Sequence, residues 1–499
     1  MPPPPFPLTP SSLLLVTWNL KPGTWHLPRS VGPRPCPVCG GLPRRVLHRQ
    51  RFMDGPLGDG YDVVVCGACG AGFADGIPAQ AELDAYYAER SKYTYDQTGG
   101  AESPYDFRRF EQIADQIAAS VPSTAARILD VGCATGGLLA TLKQRGYKHV
   151  LGADPSPACA AAARRLHDVD VRVATLAQLA DWTERFDLVL LVGVLEHLRE
   201  VRPAVETVTR LLAPGGLLYC AQPDVTAFAD CVNAPYQQFS VEHVNFFSVS
   251  SLNRLMSACG LESRQTWRWL VEWREGVTDS VISGLYSLGS FPSHSLTPSL
   301  PSDDAPSLKS QVSKSSPSHT VAPQLRSSAS PPAAAPQFSS SAPPPTVVPS
   351  FRRFVSPSAV PPFRSSDALS TAEGGPVFDS TTAPALARYL VKCAQEDLKL
   401  TTTIEQLVQS REPVLIWGAG TLTRRLLATT RLAEANIAAF VDSSTGLQGQ
   451  HLAGREIIAP AKLSGRPETI VIASKAFERE ILRQIRDQLA LSNRVILLG

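Results

Sequence analysis

A strand that stops on glycine and passes at once into a helix leaves a chain few folds to choose from. Residues 127–137, RILDVGCATGG, have that form. Ile128, Leu129 and Val131 make an apolar run of the kind buried on both faces of a parallel sheet. Asp130 lies at the end of that run, Gly132 opens the turn, Gly136 follows four residues on, and LLATLKQRG reads as the helix. The next strand, HVLGAD, delivers Asp154 about twenty residues later. Strand, glycine turn, helix and acid-terminated strand together predict a nucleoside or dinucleotide site. The glycines let a ligand approach backbone, and the acid takes two ribose hydroxyls.

The same alternation continues to about residue 270. ARILDVG, HVLGAD, VDVRVAT, FDLVLLVGVL, GLLYCAQP and LESRQTW read as strands with helices between them. The predicted fold class is α/β, a doubly wound, Rossmann-like parallel sheet. LLAPGGLLYC reads as a helix ended by Pro-Gly-Gly and turned straight into a strand. At 499 residues the chain exceeds one core, so two or three domains are expected. Its 43 prolines are too many for a folded body and concentrate in Ser/Pro/Ala sequence over 291–380, which reads as a linker unable to bury a core. Order resumes over 381–499 with a long helix, APALARYLVKCAQEDLKLTTTIEQLVQS. PVLIWGAGTLT, IAAFVDSS with Asp442, TIVIASK and RVILLG then predict a second, smaller Rossmann-like sheet. Its turn has Thr423 where GxGxxG would place a third glycine, which weakens a nicotinamide assignment.

Ahead of the first sheet, residues 1–30 form a Pro-rich leader, and 31–75 carry Cys36, Cys39, Cys66 and Cys69 as CPVCG and CGACG. Two such knuckles satisfy tetrahedral zinc, and a hairpin RRVLHRQRF…YDVVVC would fill the gap between them. Four cysteines leave zinc no open position, so the expected role is structural. Residues 76–125 read as a helical connector, with Ser103-Pro104 as cap and first turn. Tyr86, Tyr87, Tyr93 and Tyr95 are placed there to line a pocket or to pack beneath the connector. The first 53 residues contain no acid, as in a transit peptide, but the prolines favour a plain leader. A net charge of +2 supplies no field for nucleic acid or membrane, and no apolar run reaches the length of a membrane span. Scattered cysteines outside the two pairs fit a reducing, cytoplasmic setting.

A nicotinamide site wants GxGxxG, whereas the first turn has DxGxxxG with its acid inside the strand. With the APGG turn and LVGVLEHL, this resembles the class I S-adenosylmethionine-dependent methyltransferases. The resemblance implies that Asp130, Gly132, Cys133 and Gly136 hold the methionine end, that Asp154 takes the ribose, and that Thr175 and Leu176 flank the adenine. ATLAQL lacks the acid that many members place there. The order of four-Cys domain, methyltransferase domain (126–290) and GAG-containing tail resembles the sugar C-methyltransferases. It implies a nucleotide-sugar acceptor cradled by the tail, with Gly418 and Gly420 at its turn; the Ser/Pro insertion departs from the family.

Methyl transfer from a sulfonium needs positioning, but methylating carbon also needs a base to remove a proton beside a carbonyl. SVEHVNFFS, after the fifth strand, supplies Glu242 and His243 in the family's EHxxxxS form, with His243 the candidate base. Glu196-His197, ending the fourth strand, offers His197 as a second candidate, and Tyr236 and Asn245 are candidate substrate contacts. Three other activities fit the same residues: O-methylation of a sugar or small molecule, RNA methylation behind a zinc ribbon, and a non-catalytic scaffold binding the methyl donor.

Overall fold

The computed structural model describes residues 33–89, 101–289 and 377–498. The predicted leader, most of the Ser/Pro segment, and Tyr93 and Tyr95 lie outside these residues.

The two knuckles flank a hairpin, as expected. β1 (Arg44–Arg51) pairs antiparallel with β2 (Gly60–Cys66), and β3 (Gly72–Asp75) adds to β2. This sheet does not close by itself. Its fourth strand, β9, comes from residues 245–246 far along the chain. Tyr61, Val63 and Phe52 therefore share one core with Phe228, Phe239 and Phe246. The sheet of the 31–75 segment is thus completed by a strand from the predicted 126–290 domain, because a unit this small cannot bury its own apolar face.

Next come α1 (Gln80–Glu89) and α2 (Pro104–Ser120). Ser103 caps α2 in a reciprocal box with Asp106, and Phe110, Ile113 and Ile117 face inward. The first large sheet follows, from β4 (Arg127–Val131), α3 (Gly137–Gln144), β5 (His149–Asp154), α4 (Pro157–His167), β6 (Val171–Val173), β7 (Phe186–Val192), α5 (Val201–Arg210) and β8 (Leu212–Pro223). β9 (Asn245–Phe246), α6 (Val249–Ala258), β10 (Leu261–Arg274) and β11 (Val277–Leu288) complete this half. The sheet order is β10-β11-β8-β7-β4-β5-β6. β6, β5, β4, β7 and β8 run parallel, with the order reversing between β4 and β7. Open α/β sheets bind ligands at the strand ends beside such a reversal. Leu129 and Val131 of β4 pack on one face and Ile128 on the other, so both faces are dry.

Two expectations are corrected. The sheet is mixed, because β11 runs antiparallel to β8 and β10 antiparallel to β11. The segment LAPGG does not end a helix: α5 stops at Arg210, and β8 already runs from Leu212 through Pro214 and Gly215.

Past the Ser/Pro segment, α7 (Thr382–Ser410) spans 29 residues, about 43 Å. Then come β12 (Val414–Trp417), α8 (Thr421–Thr429), β13 (Ile437–Val441), β14 (His451–Leu452), β15 (Arg455–Ile458), β16 (Thr469–Ile472), α9 (Glu478–Arg483) and β17 (Val495–Leu497). They form a second sheet, β14-β15-β13-β12-β16-β17, with β14 its antiparallel edge. Leu386, Tyr389 and Cys393 of α7 enter the core shared with the hairpin, while Leu400, Ile404 and Leu407 enter the core of the second sheet. Among the described residues no helix is long and apolar enough to cross a membrane.

Candidate active site

The first glycine turn lies at the carboxyl end of β4, beside the strand-order reversal. Gly132 has φ 74°, and a Cβ there would stand 2.7 Å from Val194 Cγ2, so only glycine fits against β7's exit. Gly132 and Cys133 both donate their amides to Ala153 O, tying the turn to β5. Ala134, at φ 48°, points its amide at Asp154 Oδ2 (2.9 Å), while Ser156 N reaches Oδ1 (2.9 Å). Asp154 is thereby aimed into the crevice with lone pairs to spare. Burial raises its carboxyl, against the pull of those two amides. Asp130 is buried beneath it and is pushed up to about 8 by burial and by Asp154.

Thr175 and Leu176 stand just past β6, the neighbour of Asp154's strand. Thr175 bonds Gln178 through its amide (2.8 Å), and Leu176 is half-buried against the core. The Cys133 thiol is buried, and burial pushes its pKa up, consistent with packing rather than nucleophilic chemistry. Sequence gave no hint of Glu102. Its side chain, 2% exposed, accepts from Thr135 Oγ1 (2.7 Å) and pairs with His167 Nε2 (2.8 Å), bracing the turn from outside. Two buried carboxyls and turn amides around one crevice suit a ligand with a cation at one end and a vicinal diol at the other. S-adenosylmethionine is such a ligand, and the donor set fits it.

Beside this crevice, a second cluster gathers at the exit of β7. Glu196, His197 and His243 offer ligand-type atoms all within 4.8 Å of one another. The two imidazoles meet edge to face, centroids 5.1 Å apart. His197 Nδ1 lies 3.1 Å from Glu242 O and 3.0 Å from Tyr87 Oη. A carbonyl oxygen can only accept, so this bond assigns the proton to Nδ1 and leaves Nε2 as the free lone pair. Glu242 turns its carboxylate away, accepting from Tyr86 Oη (2.9 Å), so its contribution to His197 comes through the backbone carbonyl. The His243 amide is held by Ser240 Oγ (3.1 Å), and Tyr61 Oη donates to the carbonyls of Ser240 (2.8 Å) and His243 (3.3 Å).

Beneath the cluster lies Arg34, 2% exposed, another residue that the sequence did not flag. It donates to Ala74 O, Val244 O, Leu198 O, Arg199 O and Asn245 Oδ1, and burial lowers its pKa to about 9. Asn245 is corrected from substrate contact to brace. Both its amide hydrogens go to Leu195 O (2.6 Å) and Leu198 O (2.7 Å), and its oxygen is taken by Arg34. Tyr236 also lies apart from the histidine cluster's hydrogen bonds. Its ring is stacked on His48 at 4.8 Å and lies over Arg425 at 4.7 Å, where burial raises the phenol to about 12.

Gly418 and Gly420 bracket the second turn. Ala419 N donates to Asp442 Oδ2 (2.8 Å) and Ser444 N to Oδ1 (2.8 Å).

The four cysteines converge as expected. Cys36 and Cys69 sulfurs are 3.6 Å apart, as are Cys39 and Cys66. Gly41 N and Ala68 N point at Cys39 and Cys66 sulfurs (3.4 Å each). Zinc–thiolate bonds of about 2.3 Å require sulfur–sulfur edges of about 3.8 Å, so the set fits a tetrahedral zinc ion with every position filled by protein.

Comparison with known proteins agrees with this geometry. Residues 105–266 match a family model described as a methyltransferase domain, and 410–497 match one described as C2185-like, N-terminal. A ubiquinone biosynthesis O-methyltransferase of Rhizobium rhizogenes is 40% identical over 105 residues, which is 20% of this chain and 42% of the relative. One from Rhizobium etli is 32% identical over 157 residues, 28% and 62% of the respective chains. The chain thus spans about half the length of the curated relatives it matches. A solved 1,6-didemethyltoxoflavin-N1-methyltransferase of Burkholderia thailandensis, with S-adenosylhomocysteine bound, aligns at 19% identity and a TM-score of 0.33, covering 42% of this chain and 91% of its own. The sheet order and the crevice agree with the family match, so residues 105–266 carry a methyltransferase domain whose donor set suits S-adenosylmethionine.

Proposed function

We propose that this protein methylates a carbon beside the carbonyl of a small, sugar-like acceptor, with a nucleotide-linked keto-deoxysugar as the acceptor class. The observation that carries this reading is the pairing of His197 and His243 at the lip of the crevice. Bound S-adenosylmethionine would supply an electrophilic methyl group. Asp130 and the turn would hold its methionine end and Asp154 its ribose, leaving the sulfonium side toward β7's exit. His243 would take the proton from the acceptor carbon, and the enolate carbon would then attack the methyl, releasing S-adenosylhomocysteine. His197, with its proton fixed on Nδ1 by Glu242 O, keeps Nε2 available to share that proton. Tyr87 at 3.0 Å holds the imidazole in place. The four-thiolate centre would carry zinc in a structural role, and the turn at Gly418 and Gly420 would hold part of the acceptor.

The named relatives favour a second reading, O-methylation, in which the same base removes a hydroxyl proton. Solvent deuterium separates the two. A keto-deoxysugar turned over in deuterated water should exchange the hydrogen beside its carbonyl, and His243→Ala should abolish that exchange. Turnover of an acceptor with no carbonyl, without exchange into carbon, would sink C-methylation in favour of O-methylation.

A further inference from the structure

We propose that Glu196, His197 and His243 form a second metal centre, distinct from the four-thiolate one, which takes a zinc-like divalent transition ion at the acceptor lip. Two imidazoles and one carboxylate are the donor set that zinc, cobalt and nickel favour, whereas magnesium and calcium prefer oxygen alone. All three ligand-type atoms fall within 4.8 Å of one another, and ligands about 2.1 Å from one zinc-like ion stand about 3.4 Å apart, so side-chain rotation closes the set around an ion. Protein residues supply three ligands and leave a position open to water or to an acceptor oxygen.

The surroundings are those of a metal-ligating histidine. Such residues donate their other ring N–H to a backbone carbonyl or carboxylate, which fixes the tautomer and strengthens the ligand. His197 does this through Nδ1 to Glu242 O at 3.1 Å, with Tyr87 Oη beside the same nitrogen at 3.0 Å. Glu196 is 4% exposed, and its carbonyl accepts from Val244 N (2.7 Å), which pins the two ligand-bearing segments together. Arg34 then ties both to the hairpin by bonding Leu198 O and Val244 O. The backbone that carries the ligands is thereby held in place, and only side-chain rotation remains to complete the site.

Metal binding and proton abstraction compete here, because both use the imidazole lone pairs. This consequence rests on the base assigned under the proposed function, whereas the binding itself does not. Occupancy should therefore inhibit methyl transfer, and chelation should restore it.

The test begins with full-length protein whose four-thiolate centre is loaded with zinc, titrated with Co2+ alone. The expected result is about one further equivalent per chain, with weak visible bands and none of the intense near-ultraviolet absorption that thiolate ligation gives. His197→Gln and His243→Gln should each weaken that equivalent at least tenfold, with S-adenosylhomocysteine binding as the check on folding. Tyr87→Phe, which leaves all three ligands in place, should weaken it about tenfold through the outer shell. No further equivalent in the wild type, or unchanged binding in both histidine variants, overturns the site. Full methyl transfer by the loaded protein overturns the competition. Absence of deuterium exchange, by contrast, bears only on the C-methylation reading, since the cobalt bands do not depend on it.

Discussion

At the end of β4 the turn hands the Ala134 amide to Asp154 (2.9 Å), and at the end of β12 the turn hands the Ala419 amide to Asp442 (2.8 Å). In each case the amide two residues past the acid, from Ser156 or Ser444, binds its other oxygen. The backbone device is the same, but its neighbours differ in charge. Beneath Asp154 lies a second buried carboxyl, Asp130, where the second strand has Ile416. Burial raises the Asp442 carboxyl, and the Ala419 and Ser444 amides, with the Arg424 guanidinium beside it, offset part of that rise. The second turn also spends its own carbonyls internally. Thr423 Oγ1 donates to Gly418 O (2.5 Å), and Arg424 Nε to Ala419 O (3.0 Å). A Rossmann-type turn thus presents an acid in both sheets, while the charge set around that acid differs, a second carboxyl at the first and a guanidinium at the second.

The largest expected effect separates the two units through the metal. Cys69 O accepts from Asp379 N (2.8 Å), and Asp379 in turn anchors Thr381 and Thr382 at the start of α7. Stripping the four-thiolate centre should therefore loosen α7 first. Amide exchange over 382–393 should accelerate by about a thousandfold or more, while 127–154 changes little. Equal acceleration in both would mean that the centre supports the whole body. Next in size, Asp154→Ala should weaken S-adenosylhomocysteine binding about a hundredfold, for two charge-assisted hydrogen bonds lost. Asp442→Ala should leave it within about threefold by calorimetry; similar losses would break the comparison.

Arg424→Ala removes a buried guanidinium that also donates to Met53 O and Asp54 O of the hairpin loop. It should cost about 2 kcal/mol in denaturant unfolding, with donor affinity unchanged. A further effect is a slope with pH. Asp130 is held near 8, above its unfolded value of about 3.9, so its contribution to stability is whole below that lower value and is lost as pH rises toward 8. A cationic donor needs the carboxylate, so affinity for S-adenosylmethionine should climb by up to about tenfold per pH unit from about 6 to 8, then level. Asp130→Asn should flatten both slopes; a persistent slope would place the titration elsewhere.

Much of the first crevice was legible because its parts are local. DVGCATGG and the acid of HVLGAD lie within one strand–helix–strand unit, and period and glycine spacing report such units directly. The cysteine knuckles were legible for the same reason. β11 was not, because both its faces are covered and it buries Ser280 on one and Ser283 on the other, where their hydroxyls bond Asp224 O and Gln116 Oε1. Polar residues satisfied across the fold look like surface when read along the chain. Arg34 and Glu102 escaped for a related reason: their partners lie between 33 and 211 positions away, as with Thr135 for Glu102 and Asn245 for Arg34. Asn245 was misassigned because an amide beside a catalytic-looking pair gives no sign in sequence of whether it faces ligand or carbonyls. Tyr86 and Tyr87 fell between these cases, placed as pocket residues or packing and found bonded to Glu242 and His197.

The apolar stripe of α7 changes core partway along its length, from Leu386, Tyr389 and Cys393 to Leu400, Ile404 and Leu407. Between them Asp397 grips Arg425 with two bonds of 2.7 Å. Neither core can lose this helix without exposing part of the other, so their stabilities are pooled. A ligand held at the turn of the second sheet raises the free energy needed to open the hairpin core, even though it never touches it. Heat or denaturant should accordingly open these two cores in one transition, its midpoint moving when that turn is filled.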